Sequence, residues 1–141
     1  MTAPDGSDTS PHELLNPRSW KPARGYANGV AASGRMLFLG GMIGWNDQQE
    51  FESDDFIEQV AQTLRNIVEV LAEAGAGPQH LVRLTWYVID RDEYVGRLNE
   101  LGGVYRAVIG AHYPAMALVQ VVALVERRAR VEIEATAVVP E

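Results

Sequence analysis

The chain has 141 residues, enough for one domain with a real core. Its net charge of −7 and its single lysine, Lys21, oppose nucleic-acid binding, which needs a basic surface to displace counterions. No apolar run approaches the roughly 20 residues that span a bilayer, and no signal-peptide pattern opens the chain. The absence of cysteine excludes a disulfide framework and a thiol nucleophile. Together these features point to a cytoplasmic protein without membrane attachment.

Residues 1–25 contain Pro4, Pro11, Pro17 and Pro22, few large apolar side chains and no helical period. They predict an extended N-terminal arm, with the folded domain over 26–141. Met36–Ile43 reads as strand-like, its Met36–Leu39 part bounded by Ser33-Gly34 before and Gly40-Gly41 after, and Val82–Ile89 reads as a second strand. Between them, Ile57, Val60, Leu64, Ile67, Val68 and Leu71 recur at helical spacing, which predicts one helix over Asp54–Ala74. Ser53 suits its N-cap and Gly75 its stop. A second helix is predicted over Asp92–Ile109, with Asp90 and Glu93 at capping-box spacing and Gly102-Gly103 marking either a kink or a close contact. Two strands follow, Ala117–Leu124 and Val131–Val139, joined by Val125–Arg130 as a charged, solvated hairpin turn.

The strands around Leu37 and Val121 are apolar on both faces, yet two helices can cover only one side of a sheet. The other side is expected to meet further copies of the same chain.

Candidate chemistry is sparse. His12, His80 and His112 lack the spacing of a local metal pair, so no metal site is expected. His112 reads as a partly exposed loop histidine, and no serine follows Ser53, which leaves a Ser-His-Asp site without good candidates. Lys21 is the one possible Schiff-base amine, with nothing near it in sequence to activate it. Gly40-Gly41-Met42-Ile43-Gly44 lacks the helix and lysine of a nucleotide loop, so its glycines are read as turn residues and no cofactor is expected. Trp86 alternates with Leu84 and Val88 and reads as packing; Trp45, after the glycines, suits either a cleft or an interface. Glu132 and Glu134 share one strand face, which on these residues alone is a solvated edge.

Six segments in register carry a resemblance to the Rid superfamily (YjgF type, reactive intermediate deaminases). They are Gly25-Tyr26-Ala27-Asn28-Gly29-Val30, Leu37-Phe38-Leu39-Gly40-Gly41-Met42-Ile43, the long helix, the Asp90 turn with Tyr105, Pro114-Ala115, and Val131-Glu132-Ile133-Glu134-Ala135. The resemblance implies an α/β (α+β) chorismate-mutase-like single domain, a mixed sheet on two helices. It also implies a homotrimer with ligand clefts between subunits. By position it implies a substrate-binding set of Tyr26, Gly40, Met116 and Leu118, to which Trp45 is added as a candidate, and a catalytic carboxylate at Glu132.

The departures matter as much. Deaminating members carry arginine where this chain has Met116, and serine where it has Gly40. A guanidinium holds a 2-imino acid carboxylate by paired hydrogen bonds, which a thioether cannot do. The expected function is therefore hydrolysis of an enamine, imine or related small catabolic intermediate, with altered specificity. A non-catalytic metabolite-binding or regulatory trimer is the alternative.

Overall fold

A computed structural model describes residues 10–141; the first part of the expected arm, residues 1–9, lies outside the described residues. Within the rest of the arm, β1 (Glu13–Leu14) pairs antiparallel with β2 (Val30–Ala31). His12 Nε2 donates to the carbonyl of His80 at 3.2 Å, so this stretch is fastened to the domain.

The main sheet contains β3 (Arg35–Phe38), β4 (Met42–Ile43), β5 (Leu81–Val88), β6 (Ala115–Gln120) and β7 (Val131–Val139). Its order is β3-β7-β5-β6, with β4 also paired to β7. β5 and β6 are parallel and the other pairs antiparallel, so the sheet is mixed as expected. The single strand expected over Met36–Ile43 is two, separated by Leu39-Gly40-Gly41.

One helix, α1 (Phe56–Glu73), carries the predicted stripe, and Ile57, Val60, Leu64, Ile67 and Leu71 are all buried against the sheet. Each such side chain contributes about 1.5–3 kcal/mol on burial, so the five together outweigh any cap. Its N-cap is Asp55 and not Ser53: the Asp55 carboxylate accepts from Glu58 N at 3.1 Å. Ser53 Oγ instead accepts from Asp55 N at 3.0 Å and braces the cap from outside. At the other end Gly75 takes φ +70°, which lets Ala76 N reach the Leu71 carbonyl at 3.0 Å.

The second helix also differs from expectation. It is two helices, α2 (Arg91–Gly96) and α3 (Leu98–Val108), and the break falls at Arg97, while Gly102-Gly103 lies inside a continuous α3. Gly96 weakens the helix before the break. Arg97 then turns its guanidinium onto Asp55 at 2.7 Å and Glu100 at 2.8 Å. Asp90 caps α2 as predicted, accepting from Glu93 N at 3.1 Å.

Nor is the segment before β7 a hairpin. β6 and β7 lie on opposite sides of β5, so residues 121–130 cross from one to the other. Gln59 on α1 holds that crossing, donating to the Arg128 carbonyl at 2.9 Å and accepting from Arg130 N at 2.8 Å. Arg128 and Arg130 pair with Asp54 and Glu93, so these charges tie the crossing to helix ends and are not simply solvated.

Register fixes the faces. Leu84 pairs with Met116 and Ala135, and Trp86 with Leu118 and Ile133, all toward the helices. The alternate residues, among them Phe38, Tyr87, Ala117, Val119, Glu132 and Glu134, form the opposite face. There Phe38 is 73% exposed, Met36 56% and Val119 46%, an open apolar surface.

Candidate functional site

The turn entering β6 is rigid. Tyr105 and Tyr113 stack with ring centroids 5.3 Å apart, and Tyr105 Oη donates to the His112 carbonyl at 2.5 Å. His112 is buried, where a partly exposed histidine was expected, and its Nε2 donates to the Leu81 carbonyl at 2.7 Å. Its role is to lock the Pro114 turn against β5, because a buried imidazole must find partners. Ala27 N then donates to the Pro114 carbonyl at 3.0 Å, and Ala27 bridges Ala115. These contacts bring Tyr26 beside Met116, although the two are far apart in sequence.

Met116, Leu118 and Tyr26 line one cavity of about 240 Å³, completed by Arg24, Gly25, Trp86, Tyr94 and Leu101. Three of the five expected substrate-binding residues are thus together, in a mostly apolar and aromatic chamber. Burial of Tyr94 pushes its hydroxyl up from the usual tyrosine range. Trp86 Nε1 is buried without a hydrogen-bond partner among the described residues. Sequence reasoning placed Trp86 in the packing, which is right, and missed that one side of the indole walls the cavity. Arg24 was also absent from the expected set; its exposed side chain at the cavity is the basic group nearest to Met116's chamber in the lining.

Glu132, Gly40 and Trp45 lie elsewhere. Glu132 is opposite Ile43 on β4 and Tyr87 on β5, on the open face, so within one chain it is not beside Met116 and Leu118. The cause is parity: Ile133 faces the helices with Trp86 and Leu118, and its neighbour Glu132 must face away. A Cβ built on Gly41 would sit 2.3 Å from Glu132 Oε2, so the carboxylate rests on the bare backbone of that glycine. Gly40, by contrast, has open space at its Cβ position. Gly41 and Glu132 therefore form a second cluster at the β3–β4 turn, which Gly40 adjoins without a neighbour at its Cβ position. On the same face Tyr87 Oη donates to Glu134 Oε1 at 2.5 Å, and that bond, with burial and the nearby carboxylates, raises the tyrosine above its usual range.

Trp45 joins neither cluster. It packs at 6.0 Å and 52° on Phe51, over which the Arg128 guanidinium sits at 5.4 Å. Asn66 holds its backbone, donating to the Trp45 carbonyl at 2.8 Å. Among the described residues no group of histidine, aspartate and glutamate could hold a metal ion, and no helix is long and apolar enough to cross a membrane.

This fold, with its turn at Pro114 and its carboxylate on the last strand, defines a class. The family described as Endoribonuclease L-PSP matches residues 17–139. Among curated proteins, Protein DfrA of Myxococcus xanthus is 38% identical over 107 residues, covering 75% of this chain and 78% of its own. The 2-iminobutanoate/2-iminopropanoate deaminase of Mus musculus is 32% identical, covering 74% of each. Among solved structures, the Rid family protein YyfB from Yersinia pestis superposes with a TM-score of 0.82 at 32% identity, over 91% of this chain and 98% of that one. The chain belongs to the Endoribonuclease L-PSP family, that is, to the Rid/YjgF proteins.

Proposed function

We propose that the chain is a small-molecule hydrolase for an enamine, imine or related catabolic intermediate whose recognition does not depend on a carboxylate held at position 116. In this reading it acts as a homotrimer, and the Met116 cavity of one copy is completed by the Gly41–Glu132 cluster of the next. The observation that carries the proposal is the pairing of an apolar, aromatic cavity with a carboxylate that its own chain turns the other way. The open apolar face around Phe38 and Val119 supplies the surface on which copies would meet.

In that chemistry, Glu132 takes a proton from water as the water oxygen bonds to the imine carbon. The C=N π pair moves to nitrogen, which takes that proton to give a carbinolamine. Glu132 then removes the carbinolamine hydroxyl proton and passes it to nitrogen as the C–N bond breaks, so that a carbonyl compound and ammonia leave. The name of the mouse relative, a 2-iminobutanoate/2-iminopropanoate deaminase, supports the reaction class. Met116 argues against the same substrates, since those carry the carboxylate that an arginine would hold. An endoribonuclease activity, which the family's description names, is opposed by a net charge of −7.

The alternative is a non-catalytic, metabolite-binding trimer, favoured by the lack of any carboxylate or lysine in the cavity lining of a single chain. Ammonia release from a panel of imines and enamines, with and without a carboxylate on the reacting carbon, separates the two. The enzymatic reading expects acceleration for carboxylate-free members and its loss in Glu132→Gln. No acceleration for any member would leave the binding reading.

A further inference from the structure

We propose that Tyr87 is a positioning residue, which holds Glu134 away from Glu132 so that one carboxylate alone is presented to the neighbouring copy's cavity. The inference deepens the reading of Glu132 as the base, and its part in catalysis rests on that reading. Glu132 and Glu134 are two residues apart on β7 and face the same way, so their side chains leave the strand roughly 6.6 Å apart. Glutamate side chains are long enough to close that gap. Two carboxylates that met would repel, and each would hold its proton more tightly.

The structure draws them apart. β7 lies between β4 on one side and β5 on the other. The Glu132 carboxylate leans to the β4 side, over Gly41, where a Cβ would stand 2.3 Å from Oε2. The Glu134 carboxylate leans to the β5 side and accepts from Tyr87 Oη at 2.5 Å. Gly41 thus gives one carboxylate its room, and Tyr87 gives the other its donor. The bond to Glu134, then burial and the charges of Glu134 and Glu132, raise the Tyr87 hydroxyl above its usual range. It therefore stays protonated, and keeps donating, throughout the neutral range. The remaining charge that β5 carries on this face is Arg83, which forms no ion pair among the described residues. Met36 and Phe38 on β3, and Ala117 and Val119 on β6, are uncharged. The Tyr87 hydroxyl is the group that keeps Glu134 aside.

The test compares the full-length wild type with Tyr87→Phe, Glu134→Gln and the double variant in two readouts. The first needs no substrate. The side-chain carboxyl signals are followed by ¹³C NMR as pH is varied, and Glu132 is assigned by the loss of its signal in Glu132→Gln. Tyr87→Phe removes one oxygen and frees Glu134 to approach. The Glu132 transition should then move up by about half a pH unit, a roughly threefold tighter hold on the proton. The double variant should return it to the wild-type position, because the approaching charge is gone. Glu134→Gln alone should move it by less than half as much. No shift in Tyr87→Phe, or a shift that the double variant keeps, would overturn the inference.

The second readout is turnover of a substrate that the wild type accepts. Tyr87→Phe should move the acid limb of the kcat profile up by the same half unit, lowering rates on that limb about threefold, with KM unchanged. The double variant should recover the wild-type profile. A loss that it does not recover would make Tyr87 a merely structural residue and overturn the inference. The expected NMR shifts, in a protein that turns over no member of the panel, would instead overturn Glu132 as the base. Tyr87's part in catalysis would fall with it.

Discussion

Met116 and Glu132 point to opposite sides of the same sheet. Met116 is in register with Leu84 on the helix side, and Glu132 with Tyr87 on the open side. No side-chain rotation carries one to the other through a paired sheet, so they can share a site only across two copies.

Assembly should depend on the open face. Phe38, 73% exposed there, is the largest apolar contact available to a neighbour. Light scattering of the wild type in dilute neutral buffer should give three times the 15.5 kDa chain mass. Phe38→Glu should give the single-chain mass with the far-ultraviolet spectrum unchanged. A wild-type monomer would contradict the assembly.

Substrate choice should turn on position 116. The wild type should not accelerate 2-iminobutanoate hydrolysis measurably, and Met116→Arg should gain that activity, because guanidinium supplies the bidentate carboxylate contact. Should the wild type prove active, Arg24→Ala identifies whether the basic group at the cavity has taken over the role.

Gly41 should matter through Glu132 alone. Alanine there would place its Cβ 2.3 Å from Oε2 and 2.9 Å from Cδ, so the carboxylate must move. Gly41→Ala should lower kcat on any accepted substrate at least tenfold, with a change in stability of about 0.5 kcal/mol or less. Gly40→Ala, with open space at the same atom, should leave the Glu132 carboxylate in place and change stability by about 0.5 kcal/mol or less.

Acid should loosen the start of α1. The Arg97 guanidinium, against some opposing burial, and the Glu58 backbone N–H hold Asp55 below the usual carboxylate range. A group whose folded value is depressed stabilises above its unfolded value, roughly pH 4, and loses that contribution as pH falls through the lower folded value. Asp55→Ala should cost about 1 kcal/mol at neutral pH by chemical denaturation, and the difference from wild type should shrink only below pH 4. Asp55→Asn keeps the cap and should recover part of the loss.

Much of this fold was legible because it is local. The α1 stripe from Ile57 to Leu71 and the alternation along β7 are periodic signals that burial enforces. The N-cap was misread because Ser53 and Asp55 are both good caps, and only the geometry of the first turn chooses. The break at Arg97 escaped because its partner Asp55 is 42 residues away in sequence. The supposed hairpin before β7 failed for the same reason: short connections favour hairpins, while the long-range pairing of β7 with β3, β4 and β5 decided otherwise. At the site, Tyr26, Met116 and Leu118 were found by likeness of motif, and they do meet. Trp86, Tyr94 and Arg24 were not, since their convergence depends on the Ala27–Ala115 bridge and the packing of α2 and α3. That Glu132 faces away from Met116 needed the inter-strand register, which no single strand's pattern contains.

Subunit mixing tests the two-copy site most directly. Met116→Trp blocks the cavity and Glu132→Gln removes the carboxylate, so each variant alone should be inactive on a substrate the wild type turns over. In a cyclic trimer reassembled from equal amounts, about one interface in four joins an open cavity to an intact Glu132, since each half is intact with a chance of about one half. The account predicts recovery of about a quarter of wild-type activity after mixing. If both residues served one site within one chain, every site in the mixture would carry a defect. A mixture as inactive as its components would contradict the account.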